Sequence, residues 1–193
     1  MAKPDWQGYY AQTKGRPPSR LLVDALAYVP NKGKAIDIGG GALKDSRYLL
    51  SQGFEVTDLD NQEIPPELLD GIDRHRFHHV QSSFGDFNFP KEEYDIASAM
   101  FSLPFNPPET FDRVFNSIKQ SLRVGGVLCG NLFGIRDEWS AMTGMTFHAI
   151  ERAKTLLSDM EVLFFEEREY EGTLANGTPK HWHVFDFIAK RIA

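Results

Sequence analysis

The order of strand-like and helix-like runs limits most strongly what this chain can fold into. Short apolar runs occur at 34–38 (KAIDI), 54–60 (FEVTDLD), within 75–84 (HRFHHVQSSF), at 94–101 (YDIASAMF) and at 127–134 (VLCGNLFG). Segments with helical spacing lie between most of them. In 17–30 (PPSRLLVDALAYVP), Leu21, Leu22, Ala25, Leu26 and Val29 share one face, and Pro30 stops the run. The run 43–53 ends at Gly53, and 62–72 holds at most a short helix broken by Pro65 and Pro66. A long helix is expected from Pro107, closed by Gly125-Gly126, and another over 146–160. The rhythm then changes. Runs 161–172 and 180–192 both read as strands, joined through Asn176-Gly177 with no helix between them. Five strands alternating with helices imply a parallel sheet with right-handed crossovers, and the closing hairpin must set one strand antiparallel.

In such a sheet, ligands bind beyond the carboxyl ends of the strands. The first strand runs into Asp37-Ile38-Gly39-Gly40-Gly41. Three glycines let a backbone approach a ligand closely, and the next helix offers its first N–H groups. Asp60 ends the second strand 21 residues after Gly39, about where an acid meets a ribose diol in nucleotide-binding α/β units. A dinucleotide loop would need a third glycine where Lys44 stands, and no Walker string occurs. A nucleoside without phosphates fits better. Leu43 falls where the helix begins and can pack on the sheet.

The four stretches DIGGGAL, FEVTDLD, EYDIASAMFSLPF and SLRVGGVLCG, in this order and spacing, resemble the class I S-adenosylmethionine-dependent methyltransferases over nearly the whole chain. Leu43 stands where that family has its third glycine. WQGYY, FNFPKEEYD and KHWHVFDFIAKR are most similar to small bacterial members of generic or tellurite-resistance type. The resemblance implies an α/β, Rossmann-like, seven-stranded, mostly parallel sheet of order 3-2-1-4-5-7-6. The last strand is antiparallel, helices lie on both faces, and residues 1–193 form one domain with 1–30 as an N-terminal helical cap. It implies S-adenosylmethionine as cofactor and S-adenosylhomocysteine as product. Gly39, Gly40 and Gly41 would run under the methionine part and ribose, with Asp37 ordering the loop. Asp60 would bind the ribose, and Leu59 or Asn61 would flank the adenine. The adenine contact after the third strand stays open between Ser83 or Phe84, through its backbone, and Asp86. Ala99, Met100 and Phe101 would line the methyl end, and Tyr10 would close over the sulfonium.

Other features read more plainly. His78 and His79 face opposite sides of a strand with no acid close in sequence, so a solvated strand entrance is expected there rather than a metal. Asn106 is expected to cap the helix after Pro107-Pro108 rather than to act in catalysis. Of His181 and His183, on one strand face, His183 is a candidate base, with Tyr10 the other catalytic candidate. Trp139, Met142, Met145 and Phe147 form either a lid or part of the core. Acids outnumber Lys and Arg 27 to 21, which argues against a nucleic-acid partner. The single cysteine, Cys129, leaves no intrachain disulfide and suits a reducing, cytoplasmic setting. No leader or membrane span is expected. The expected activity is methyl transfer to a small, already nucleophilic molecule by a monomer or homodimer. The alternatives are a non-catalytic cofactor binder and a dinucleotide-dependent oxidoreductase.

Overall fold

The computed structural model describes residues 6–193. The strands are β1 (Lys34–Ile38), β2 (Glu55–Asp60), β3 (Phe77–Gln81), β4 (Tyr94–Ala99), β5 (Leu122–Gly134), β6 (Phe147–His148), β7 (Met160–Thr173) and β8 (Pro179–Arg191). The helices are α1 (Trp6–Thr13), α2 (Arg20–Ala25), α3 (Lys44–Ser51), α4 (Pro108–Ser121) and α5 (Ile150–Leu156). The sheet order is β3-β2-β1-β4-β5-β8-β7, parallel through β5 and antiparallel at both β5–β8 and β7–β8. This is the expected order, since β7 and β8 are the sixth and seventh expected strands. None of the helices is long and apolar enough to cross a membrane, among the described residues.

Alternation along the strands divides the core in two. Ile36, Ile38, Ala97 and Leu128 face Phe111, Val114, Phe115 and Ile118 of α4. Ala35, Val56, Ile96 and Val127 face Leu22 of α2 and Leu49 and Leu50 of α3. Burying one such Phe or Leu contributes roughly 1.5–3 kcal/mol, so α4 is held by its apolar stripe.

Three element boundaries differ from expectation. The Gly125-Gly126 pair does not close α4, because Leu122 is already extended and fully buried in β5. The pair instead serves an irregular strand start. Between the pairings Tyr94↔Leu122 and Ile96↔Val127, β5 advances further than β4, and Gly125 turns through φ 84°. A Cβ on Gly126 would lie 2.9 Å from Arg123 O and 3.0 Å from Tyr94 O. The expected helix over 146–160 opens with strand β6. Strand β4 ends opposite Gly130, leaving the edge of β5 free at Phe133 and Gly134, and β6 pairs there. Asn106 caps nothing through its side chain. Pro107 is the N-cap residue of α4, and Asn106 Oδ1 accepts instead from Thr110 Oγ1.

Candidate functional site

The loop after β1 is pinned to the end of β2. Gly39 (φ 77°) donates its N–H to Leu59 O at 2.7 Å. Gly41 (φ 54°) donates to Asp60 Oδ2 at 3.1 Å. A Cβ on Gly40 would collide with Asp58 Oδ1, and one on Gly39 with the Ser102 side chain. Leu43 is not yet helical. It precedes α3 with φ 60°, the left-handed conformation its missing glycine would take freely. That costs a leucine roughly 1–2 kcal/mol, and complete burial of its side chain offsets it.

Asp60 gathers several expected site residues. Its Oδ2 accepts from Gly41 N, and its Oδ1 from Gln62 N at 3.0 Å and the Tyr10 hydroxyl at 3.5 Å. One carboxylate therefore ties the glycine loop, the end of β2 and the N-terminal segment together.

Beneath the loop a polar row crosses the sheet, as the register pairs His79 with Asp58, Asp58 with Asp37, and Asp37 with Ser98. Ser46 Oγ donates to Asp37 Oδ2 at 2.8 Å and also lies 3.5 Å from Asp58 Oδ1. Burial, with Asp45 and Asp58 nearby, pushes the Asp37 carboxyl well above the usual range, so it is neutral more readily than an ordinary aspartate. Asp37 thus ties the end of β1 to Ser46 of α3 beneath the loop and is 2% exposed. His79 Nδ1 lies 2.7 Å from Asp58 Oδ2, which corrects the expectation of a histidine without an acid. The acid comes from the neighbouring strand. That hydrogen bond raises the His79 pKa, and burial raises that of Asp58. No group of three His, Cys, Asp or Glu side chains suits a metal ion among the described residues.

The N-terminal segment is clasped over this loop. Asp45 accepts from Ser19 N at 2.6 Å and Ser19 Oγ at 2.7 Å, and Lys44 Nζ contacts both side chains. A cleft of about 210 Å³ results. Gly39–Gly41 lie on one side, Thr13 and Arg16 on another, and Met100 and Phe101 on the third. Arg16, Thr13 and the Ser19–Asp45 clasp escaped the sequence reading, since nothing local to GRPPS shows what it folds against. A larger hollow of about 420 Å³ lies at the opposite end of the sheet, where Lys119 is paired with Asp159 and Arg191 with Glu92.

The remaining expected residues are placed as follows. Leu59 and Ala99 are fully buried in the core, so neither side chain reaches the cleft; Ala99 is packed against Gly130. Asn61 is exposed, with its amide oxygen taken by Gln62. After β3, Ser83 Oγ donates to Asp86 Oδ2 at 2.7 Å, closing a turn on itself. Phe84 instead points toward the loop, its Cζ 3.5 Å from where a Cβ on Gly39 would be. His183 is 1% exposed, accepts from Arg136 N through Nδ1, and lies 2.8 Å from Glu167 through Nε2. Both ring nitrogens are occupied, and it does not open on the cleft.

Beyond Phe101 stands an aromatic wall. The Phe101 ring meets Trp182 edge-on at 5.7 Å and Phe133 at 6.2 Å, and Trp139 lies 6.0 Å from Trp182. Lys180 Nζ sits 3.8 Å from the Trp182 ring centre and pairs with Asp137 at 2.5 Å, both fully buried. Asp137 also accepts from Trp139 N and His183 N. Trp139 and Met142 are half-buried and Met145 is buried, so these residues of the segment after β5 are packed in place.

The family described as tellurite resistance protein TehB matches residues 8–171. A curated relative, the uncharacterized protein YmfD of Escherichia coli K12, is 28% identical over 122 residues, 56% of this chain and 54% of its own length. The match thus spans about half of that relative. TehB from Haemophilus influenzae superposes with a TM-score of 0.74 at 20% identity, over 88% of this chain and 61% of its own. The 1,6-didemethyltoxoflavin-N1-methyltransferase of Burkholderia thailandensis, solved with S-adenosylhomocysteine, gives 0.65 at 18% identity, over 100% and 92%. At such identities these likenesses show a shared fold.

Proposed function

Because the chain belongs to the tellurite resistance protein TehB family, we propose that it binds S-adenosylmethionine in the cleft over β1 and transfers its methyl group to a small nucleophile. The observation that carries this reading is Asp60, which joins Gly41, the end of β2 and Tyr10 beside the cleft.

The residues suit that cofactor. The space at Gly39 and Gly40 that a Cβ would fill lets backbone lie close to a ligand. Asp60 would accept from ribose hydroxyls, and Phe84 would offer a flat apolar surface for the base. Arg16, on the cleft wall, would meet the methionine carboxylate. Met100 and Phe101 face the sulfonium end, where an aromatic ring favours a cation. When bound, the sulfonium supplies an activated methyl group. The protein's part is to hold donor and acceptor in line and to exclude water. His183 has no free nitrogen for proton removal, which favours an acceptor that is already nucleophilic, such as a thiolate or an oxyanion.

Calorimetry with S-adenosylmethionine, S-adenosylhomocysteine and NAD tests this. Micromolar binding is expected for the two sulfur nucleosides and none for NAD. Asp60→Ala should weaken both roughly 10-fold or more, through loss of charge-assisted hydrogen bonds of about 1.5–3 kcal/mol. Binding of neither compound sinks the reading. Binding without turnover across thiols, phenols, amines and oxyanions would favour a non-catalytic binder.

A further inference from the structure

Phe101 is one of only three non-glycine described residues with positive φ, at 54°. A left-handed phenylalanine on a cleft wall must be held there by something else. Besides the direct contact with Phe133, two routes reach it from Arg168 on the edge strand β7. Along the first, Arg168 Nε donates to Asp186 Oδ2 at 2.6 Å. Asp186 Oδ1 accepts from Asn131 Nδ2, and Asn131 Oδ1 accepts from the Phe101 N–H at 3.0 Å. Asn131 and Asp186 are 2% and 7% exposed. Along the second, the Arg168 guanidinium lies 5.3 Å from the Tyr170 ring centre, Tyr170 stacks on Trp182, and Trp182 meets the Phe101 ring edge-on. One route ends on the backbone amide of Phe101 and the other on its ring.

We propose that Asn131, Asp186 and Arg168 are positioning residues for the methyl-donor end of the cleft. They hold Phe101 in its left-handed conformation with its ring toward the sulfonium. The inference rests on the cofactor reading above. It assigns a role in the site to Arg168, an edge-strand residue that is not among those lining the cleft. Asn131 links the two, its amide bonding to both the Phe101 N–H and Asp186.

The test uses Asn131→Ser and Arg168→Gln. The second lies on a sheet edge with its side chain 36% exposed, and it should fold if the first does not. Affinities for S-adenosylmethionine, S-adenosylhomocysteine and adenosine are measured by calorimetry, and exchange of the Phe101 amide by mass spectrometry or NMR. The ratio of sulfonium to thioether affinity should move toward the thioether by about 3- to 10-fold, from loss of the cation–ring contact. Adenosine binding should stay within about 2-fold, as the contact lies at the other end of the ligand. The Phe101 amide should exchange faster. An unchanged ratio in both variants overturns the proposal. So does an equal loss for all three ligands, which would mean general loosening. If the unsubstituted protein binds neither sulfur compound, the cofactor reading falls and the positioning role falls with it.

Discussion

Gly40 has no room for a side chain. A methyl group there would collide with Asp58 Oδ1, and Asp58 cannot swing aside because His79 holds its other oxygen. Gly40→Ala should therefore cost about 1–3 kcal/mol of stability, as overpacking does. It should also weaken cofactor binding, because the loop must lift. Urea melts and calorimetry on the variant check both, and wild-type values in each would contradict the crowding argument. Leu43 shows the opposite case. Its left-handed turn was hidden in the sequence because nothing in a leucine advertises φ 60°, and the conformation comes from the loop's closure on Asp60 and its own burial. The Gly39-to-Asp60 relation was legible because both ends are local signals at a fixed separation. The Asp58–His79 pair was not, since it depends on the register between β2 and β3.

At the scale of elements, the two β-hairpin strands and the alternation before them could be read from period and turn residues alone. What could not be read was where edges were left open. Strand β6 exists because β5 outruns β4, a difference of length that neither segment encodes alone. The glycines at 125–126 are turn residues in either reading, and only the buried Leu122 decides that strand rather than helix precedes them. The segment between β5 and β6 is fastened to β8 by the Lys180–Asp137 pair. Burial pulls the Lys180 pKa down while Asp137 pulls it up. Lys180→Met would leave Asp137 buried without its partner, a loss of roughly 3–5 kcal/mol. Lower urea midpoints and altered tryptophan fluorescence are the expected signs. A melt within 1 kcal/mol of wild type (about 1 kcal/mol being what surface pairs give) would show that the pair holds nothing.

For the whole molecule, two histidines contribute to opposite pH limbs, alongside the raised carboxyls of Asp37, Asp58 and Asp186. Burial, with Arg152 close by, lowers the His148 pKa from 6.5 to about 4. Its contribution is present above pH 6.5 and lost as pH falls toward 4. At about 1.36 kcal/mol per pH unit, this is roughly 3 kcal/mol. The His79 pKa is raised by Asp58, so its contribution is complete below 6.5 and lost as pH rises through the folded value. His148→Phe should flatten the acid limb and His79→Gln the alkaline one, measured as differences in unfolding free energy from wild type. Parallel curves for variant and wild type would refute either assignment.

The position of β8 between β5 and β7 has a consequence for synthesis. A ribosome releases β5 long before residues 179–191, yet β5 has no neighbour on that side until they arrive. Through that interval a thirteen-residue strand keeps a bare flank, the kind of edge that recruits other chains. Because β8 lies between β5 and β7, the β5 flank is covered only by the last strand to be made. A quick hairpin of β7 and β8 through the turn at Asn176-Gly177 brings β8 in together with its outer neighbour and shortens the time that flank stays bare.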